Sequence, residues 1–462
     1  MAVGTTNVSM TEIRDAFNAV GSHGRDRIPQ GTPQTFSSWR GVRLSDGSFI
    51  PSSGEISISQ FRGKGPFVPW ETESQYNQPS PSYNYQKYGY SVSYNGDGSR
   101  WAVSSPDYGG GYIFVHDIAS PYSPTKLSAS QTTSTLGYSV AISKDGNYIA
   151  AGDTVYDSSK GAVFIFNRAA NGTWSQFDWI MASDAQNNDS FGESVDISDN
   201  GEYIAVGSPY EDVGGSNKGA VYVFKRSGSY FSQQVKLQRP SGTGGAGDQV
   251  GRCVSISGNG DKLVTGGPFN DTGATNTGRI YYFTRSGSTW THRQSFQHPD
   301  ASAYDNVGLA LAISGDGNTL VVGVKEERKP SPDVAARGRA YVYTRSGTTW
   351  THRKSLNGYD STSYDYFGTT VAISDDGIRV AVGAPNGNQN TSWAGAVYLF
   401  EKYNTNWTLV GIHTPSLVAT DATANANLSH SLAMSADGYK VIAGAPYKYQ
   451  SGASRGAVYT FE

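Results

Sequence analysis

A single cysteine, Cys253, in 462 residues leaves nothing to pair with inside the chain, so no internal disulfide framework is available. Charge is scarce: charged residues make up 16% of the chain, the formal net charge is -3, and no sustained basic run occurs. That removes the electrostatic footprint of a nucleic-acid binder, and no nucleic-acid partner is expected. No apolar run of about eighteen residues is present, so no membrane-spanning helix and no membrane insertion are expected. The opening stretch MAVGTTNVSMTEIRDAF lacks the apolar core of a secretory signal, which makes export by that route unexpected. What the chain does have is 56 glycines, 19 prolines and 30 tyrosines, with 37% apolar residues. Glycine in this quantity without a collagen period, joined to abundant tyrosine, points to a soluble all-β protein of many half-buried strands.

Self-similarity decides the architecture. An apolar or aromatic residue followed by glycine recurs at Tyr88-Gly89, Leu136-Gly137, Phe191-Gly192, Val250-Gly251, Val307-Gly308 and Phe367-Gly368, and degenerates at Leu428-Ser429. Each of these seven units carries a turn glycine, at Gly98, Gly146, Gly201, Gly260, Gly317, Gly377 and Gly438, spaced 48 to 61 residues apart. Two apolar runs flank that turn, as in SVAIS-KDGN-YIAAG, the pattern of a tight hairpin. A third run follows, GAVYVF, GRIYYF, GAVYLF or GAVYTF, and a second turn RSG leads to a fourth, TWTHRQSF or TWTHRKSL. Four strands per unit and seven units predict a seven-bladed β-propeller of four-stranded antiparallel blades over residues 66–462.

The seventh unit stops at Glu462 after its third strand. Fourth-strand tryptophans Trp174, Trp290 and Trp350 each precede the next opening residue by 17 positions, and Trp70 precedes Tyr88 by 18. Residues 67–76 are therefore expected to supply the missing outer strand of blade seven.

Taken together, the aromatic-Gly pair, VAIS, VAVGAP and GAVYVF resemble the FG-GAP repeat, the blade unit of integrin α-chain propellers and of many bacterial and viral surface proteins. Gly-x-Pro is intact at residues 207–209, 266–268, 383–385 and 444–446, and eroded at residues 152–154 and 323–325. The resemblance implies a calcium loop of the form Asp-x-Asn-x-Asp-Gly between the first two strands. Here that turn is only Ser374-Asp375-Asp376-Gly377, Ser198-Asp199-Asn200-Gly201 or Ser314-Gly315-Asp316-Gly317. Too few oxygens converge for an ion that takes six to eight, so neither a metal nor any other cofactor is expected. Asp189, Asp248, Asp305 and Asp365, two residues before their opening pairs, read as turn or capping residues.

Residues 1–65 lack the four-strand pattern but contain an echo of their own: VSMTEIR at residues 8–14 matches ISISQFR at residues 56–62 in residue class. Ser9 or Thr11 is placed to cap a short helix TEIRDAF, with Glu12 and Asp15 near its positive end. This pairing resembles short N-terminal segments of structural proteins from tailed phages, especially those of marine cyanobacteria. The resemblance implies a virion protein, assembled in the host cytoplasm, whose arm docks on other virion structural proteins through Met10, Ile13, Phe17, Ile56, Ile58 and Phe61.

No catalytic residue is expected. His292 and His352 sit in a repeated Trp-Thr-His-Arg motif, the mark of structure, and loop acids such as Glu211, Asp212, Asp300 and Asp360 form no recognisable pair in sequence. Cys253 in CVSIS reads as a small buried residue. The cluster Glu326-Glu327-Arg328-Lys329 reads as a solvated loop. Loops between strands two and three, and between blades, are long and share one face. Tyr210, Trp393, Tyr447 and Tyr449 on that face suit contact with a host-surface protein or polysaccharide. The expected function is a non-enzymatic adhesion or structural component of a tail, fibre, baseplate or surface decoration. The alternative is a carbohydrate-binding or carbohydrate-active propeller.

Overall fold

In the computed structural model each repeat is one antiparallel sheet, and seven four-stranded sheets follow one another along the chain. The structure describes residues 73–77, 79, 87–106, 110–133, 135–212, 217–327, 337–358, 364–387, 394–403, 406–413, 426–450 and 453–462. The chain divides into two units, Met1–Glu71 and Thr72–Glu462, and the first lies outside the described residues. With it lie Met10, Ile13, Phe17, Ile56, Ile58, Phe61 and Trp70.

Blade three shows the plan: Ser194–Ile197, Tyr203–Ser208, Ala220–Ser227 and Tyr230–Leu237 pair in chain order. The second strand is buried throughout, and the third is buried from Ala220 to Phe224. The fourth strand of blade four, Thr289–Phe296, alternates exposed with half-buried residues because only one of its faces meets protein. Blades two to six carry a register shift at the same place between third and fourth strands, as at Val223/Phe224 and Val342/Tyr343. Repetition of the bulge marks it as part of the blade design. Fourth-strand tryptophans are not equally enclosed: Trp350 and Trp407 are buried, whereas Trp174 and Trp290 are half-buried. Cys253 is likewise half-buried as a residue, although its thiol is enclosed against the Leu311 carbonyl and burial pushes its pKa up to about 11.

The opening residue of every repeat, Tyr88, Leu136, Phe191, Val250, Val307, Phe367 and Leu428, is completely buried. Phe191 stands edge-on to Tyr222 and Phe224 in a cluster shared by blades two and three, so the apolar cores lie between blades. Each first strand packs against the first strands of both neighbours, the seventh against the first, which closes the ring.

Glycines govern how closely blades approach. A methyl group added at Gly207 would lie 1.9 Å from the Gly251 carbonyl oxygen of the next blade. The same contact recurs at Gly152 on Gly192, Gly266 on Gly308, Gly323 on Gly368 and Gly444 on Gly89. Thus the first glycine of Gly-Ala-Pro in one repeat meets the glycine of the aromatic-Gly pair in the next. Beside it, the glycine opening the third strand forms a parallel bridge to the buried opening residue of the following blade, as Gly219 does with Val250 and Gly456 with Tyr88.

Blade seven consists of Ser431–Met434, Val441–Ala445 and Ala457–Phe461, completed by Glu73–Asn77 from the other end of the chain. Glu73 pairs with Phe461, Tyr76 with Val458 and Asn77 with Ala457, in the expected seam. Tyr76 is buried and packs on Trp101, His116 and Tyr122 of blade one, which ties the closing strand to the neighbouring blade as well as to its own. His116 stacks on Trp101 and donates from Nδ1 to the Pro121 carbonyl, so its Nε2 accepts from Tyr88 Oη at 2.5 Å. Burial pushes the His116 pKa down to about 4, leaving the imidazole neutral in this role at pH 7. Between the second and third strands of this blade, Tyr449–Gln450 and Ala453–Ser454 fold a small ribbon where sequence suggested only a loop.

Deleting residues 1–65 is expected to leave the ring folded, whereas deleting residues 1–80 removes Glu73–Asn77 and exposes the edge of Ala457–Phe461. The longer truncation melts earlier and associates in thermal and light-scattering measurements; equal behaviour of the two would refute the seam. At the blade contact, Gly207→Ala is expected to cost on the order of 3 kcal/mol or to prevent folding, because backbone must move. Gly228→Ala, at a turn with φ +62° and nothing within 4 Å of the added methyl, costs only about 1 kcal/mol of backbone strain. Denaturant unfolding of both variants checks the difference.

Candidate binding site at the axial mouth

Turns between first and second strands meet from blade to blade, and seven backbone hydrogen bonds link them in a closed circle. They run from Gly96 N–H to Lys144 O, Asp145 to Asp199, Asp199 to Gly258, Gly258 to Gly315, Asp316 to Asp375, Asp375 to Ala436 and Ala436 to Gly96. Lys144 of blade two reaches Asp375 of blade six at 2.8 Å, an ion pair between non-adjacent blades that spans the opening. Burial, then the nearby Asp375 carboxylate, raises the pKa of Asp199 beside them, and Lys144 opposes the rise.

The acid just before each turn glycine is committed to the turn itself, whereas Asp375 pairs with Lys144. Ser374 Oγ donates to Asp376 Oδ1, which also accepts from Ile378 N–H at 2.9 Å. Ser143 with Asp145, Ser314 with Asp316 and Ser435 with Asp437 repeat the arrangement, and Asn200 and Asn259 replace the aspartate in two blades. Among the described residues no group of three or more His, Cys, Asp or Glu side chains is placed to hold a metal ion.

At the opposite end, first strands begin at the loop face. The residue after each aromatic-Gly pair is Tyr90, Tyr138, Glu193, Arg252, Leu309, Thr369 and His430 in blades one to seven. Five of these side chains form a continuous arc across blades seven, one, two, three and four. His430 and Tyr90 have ring centroids 4.8 Å apart, and Tyr90 and Tyr138 5.3 Å apart. Tyr138 Oη donates to Glu193 Oε1 at 3.2 Å, and Arg252 Nη1 reaches the same oxygen at 2.7 Å. All five are half-buried. Leu309 and Thr369 complete the circle with small, uncharged groups.

Enclosure sets the charge of this mouth. Burial raises the Glu193 pKa, opposed by the adjacent Arg252 and the Tyr138 hydroxyl. Burial acts to lower that of Arg252, but Glu193, Tyr210 and Tyr138 together outweigh it, so the pKa rises and the guanidinium stays charged. His430 is held neutral at pH 7, since burial lowers its pKa, and its Nδ1–H donates to the Tyr90 carbonyl at 3.3 Å.

Two loop-face tyrosines read from sequence join this arc. Tyr210 accepts from Arg252 Nη1 at 3.2 Å and is half-buried, and Tyr447 lies edge-on to His430 while remaining 38% exposed. Tyr449 is 48% exposed on the small ribbon, and Trp393 lies outside the described residues. The arc itself was not anticipated. Its signal is one column of the repeat, between the second position of the aromatic-Gly pair and the first strand, whose chemistry changes from blade to blade.

Most loop acids have structural duties. Asp189, Asp248 and Asp305 each accept a backbone N–H from three residues earlier, at Gln186, Gly245 and Ser302, in the capping role expected of them. Asp305 also pairs with His298 at 3.0 Å, with both side chains buried out of reach of a substrate. Glu211 is buried against Lys236. Glu327 departs from expectation: it is buried, paired with Arg339 at 2.9 Å and accepting from Tyr341 Oη at 2.8 Å, because the third-strand tyrosine hydroxyl requires a partner inside the fold.

Removing divalent cations with a chelator is expected to leave the melting temperature unchanged, since Asp145, Asp316, Asp376 and Asp437 accept from backbone and serine donors and Asp375 pairs with Lys144. A loss of several kcal/mol of apparent stability would instead reveal a structural ion.

A family model described as FG-GAP repeat matches residues 174–224 and 350–400. Both stretches begin at a fourth-strand tryptophan and end at a third-strand phenylalanine of the next blade, so the matched unit straddles two blades. No curated protein matches the chain. Two stretches of the chain thus match the FG-GAP repeat, and they lie within a seven-bladed β-propeller.

Proposed function

We propose that this protein is a non-enzymatic adhesion or structural component of a phage virion, located in a tail, fibre, baseplate or surface decoration. Residues 1–65 dock on other virion proteins, and the loop face of the propeller engages a neighbouring protein or the host surface. FG-GAP propellers suit protein-protein or adhesion-type binding. The observation that carries the binding role is the axial mouth: three aromatic rings and an ion-paired arginine, half-exposed and locked in place by blades on either side. Rigid amphipathic rings lose little entropy on contact, which favours recognition. The non-enzymatic assignment rests on the same geometry, because Glu193 is tied to Arg252 and the His298–Asp305 pair is sealed within the fold.

Mass spectrometry of purified particles tests the assignment directly. The protein is expected in the particle, and deletion of residues 1–65 is expected to abolish its incorporation while the free propeller still adheres to host cells. Absence from particles would refute the virion role. Release of cleavage products from host polysaccharide would favour the carbohydrate-active alternative.

A further inference from the structure

We propose that the axial mouth binds a carboxylated sugar residue of an acidic polysaccharide, with the sugar stacked on the Tyr90–Tyr138–His430 arc and its carboxylate held by Arg252. This deepens the reading of the loop face as the binding face and rests on it.

Arg252 is prepared for such a contact. Nη1 alone serves both Glu193 and Tyr210, while Nε and Nη2 make no hydrogen bond among the described residues. The side chain is 29% exposed, and neither Nε nor Nη2 belongs to the fully buried side-chain atoms without a partner. A planar edge with two parallel N–H donors matches a carboxylate bidentately, and the existing contacts have already fixed the side chain that must present it. Glu193 does not cancel the attraction, being only 8% exposed and engaged by both Arg252 and Tyr138. A second cation stands nearby: Lys87 Nζ lies 5.7 Å from the Tyr90 ring centroid. With His430 neutral, the arc carries two positive groups against one negative.

The rings select a sugar over a simple anion or an acidic side chain. A pyranose presents a face of C–H groups that packs on an aromatic ring while its hydroxyls remain in water. A lone carboxylate would use Arg252 and leave the arc idle. The two remaining positions of the column, Leu309 and Thr369, carry no charge to oppose a carboxylate.

Calorimetric titration of the full-length protein with oligogalacturonate, oligoglucose of equal length and oligoglutamate tests the site. Oligogalacturonate is expected to bind, with oligoglucose and oligoglutamate each at least about tenfold weaker. Arg252→Lys retains a charge for Glu193 but loses the planar edge, and Tyr90→Leu removes a ring; each is expected to weaken binding about tenfold. Circular dichroism confirms that both variants fold, and Lys87→Ala, at the rim, serves as a third variant with a smaller loss. Absence of oligogalacturonate binding, equal binding of the uncharged or peptide ligand, or unchanged affinity in both Arg252→Lys and Tyr90→Leu would overturn the proposal. Host adhesion without oligogalacturonate binding overturns this site and leaves the adhesion role. Oligogalacturonate binding without host adhesion does the reverse.

Discussion

The propeller depends on backbone meeting backbone between blades. Where Gly207 faces Gly251, or Gly444 faces Gly89, there is no room for a single additional carbon. The departures obey the same limit. Ser104 stands against Gly137, and Ser429 against Gly383, so serine replaces one glycine of a contact and never both. Hydroxyls on the first strand reinforce it: Ser139, Ser194, Thr370 and Ser431 each donate to the carbonyl of the residue at the pair's second position in the next blade. The repeat in the sequence is therefore the repeat of an interface, and the opening apolar residue with its glycine is one half of a contact completed by the preceding blade.

Because closure is achieved through backbone and small hydroxyls, the side chain after each aromatic-Gly pair is free to vary. That freedom is used unevenly. Five consecutive blades contribute His430, Tyr90, Tyr138, Glu193 and Arg252, whereas two contribute Leu309 and Thr369. The turn end has the opposite character, with a closed circle of backbone hydrogen bonds and the Lys144–Asp375 pair across it. One end is tied by backbone hydrogen bonds and the other presents varied side chains.

Loop-face acids illustrate how a fold absorbs chemistry that sequence leaves open. Third-strand tyrosines Tyr222, Tyr281 and Tyr341 send their hydroxyls into the interface between blades, where Asp184, Asn270 and Glu327 meet them. Lys236, Arg239 and Arg339 balance the nearby carboxylates. A buried hydroxyl or carboxylate without a partner costs more than the pair contributes, so these groups come as sets. Glu327 belongs to such a set although its neighbours in sequence are charged and its loop is long.

Features that depend on local chemistry or on chain spacing were legible in the sequence: hairpins from Asp-Gly and Asn-Gly turns, four strands per repeat, and the closing of the unfinished last blade by residues 67–76, of which Glu73–Tyr76 lie in the observed strand Glu73–Asn77 and residues 67–72 lie outside the described residues. Each follows from rules that act over a few residues or over one period. The axial mouth was not legible. His430 donates to the Tyr90 carbonyl across 340 positions of chain, and nothing local to either residue specifies that meeting. The unequal burial of Trp174 and Trp350, at the same place in their repeats, has the same origin, since the enclosing groups come from neighbouring blades whose loops differ. Sequence by itself determined the blade and the number of blades, because these are periodic. Only tertiary structure decided which side chains share the axis, because a closed ring brings together residues that the linear chain holds farthest apart.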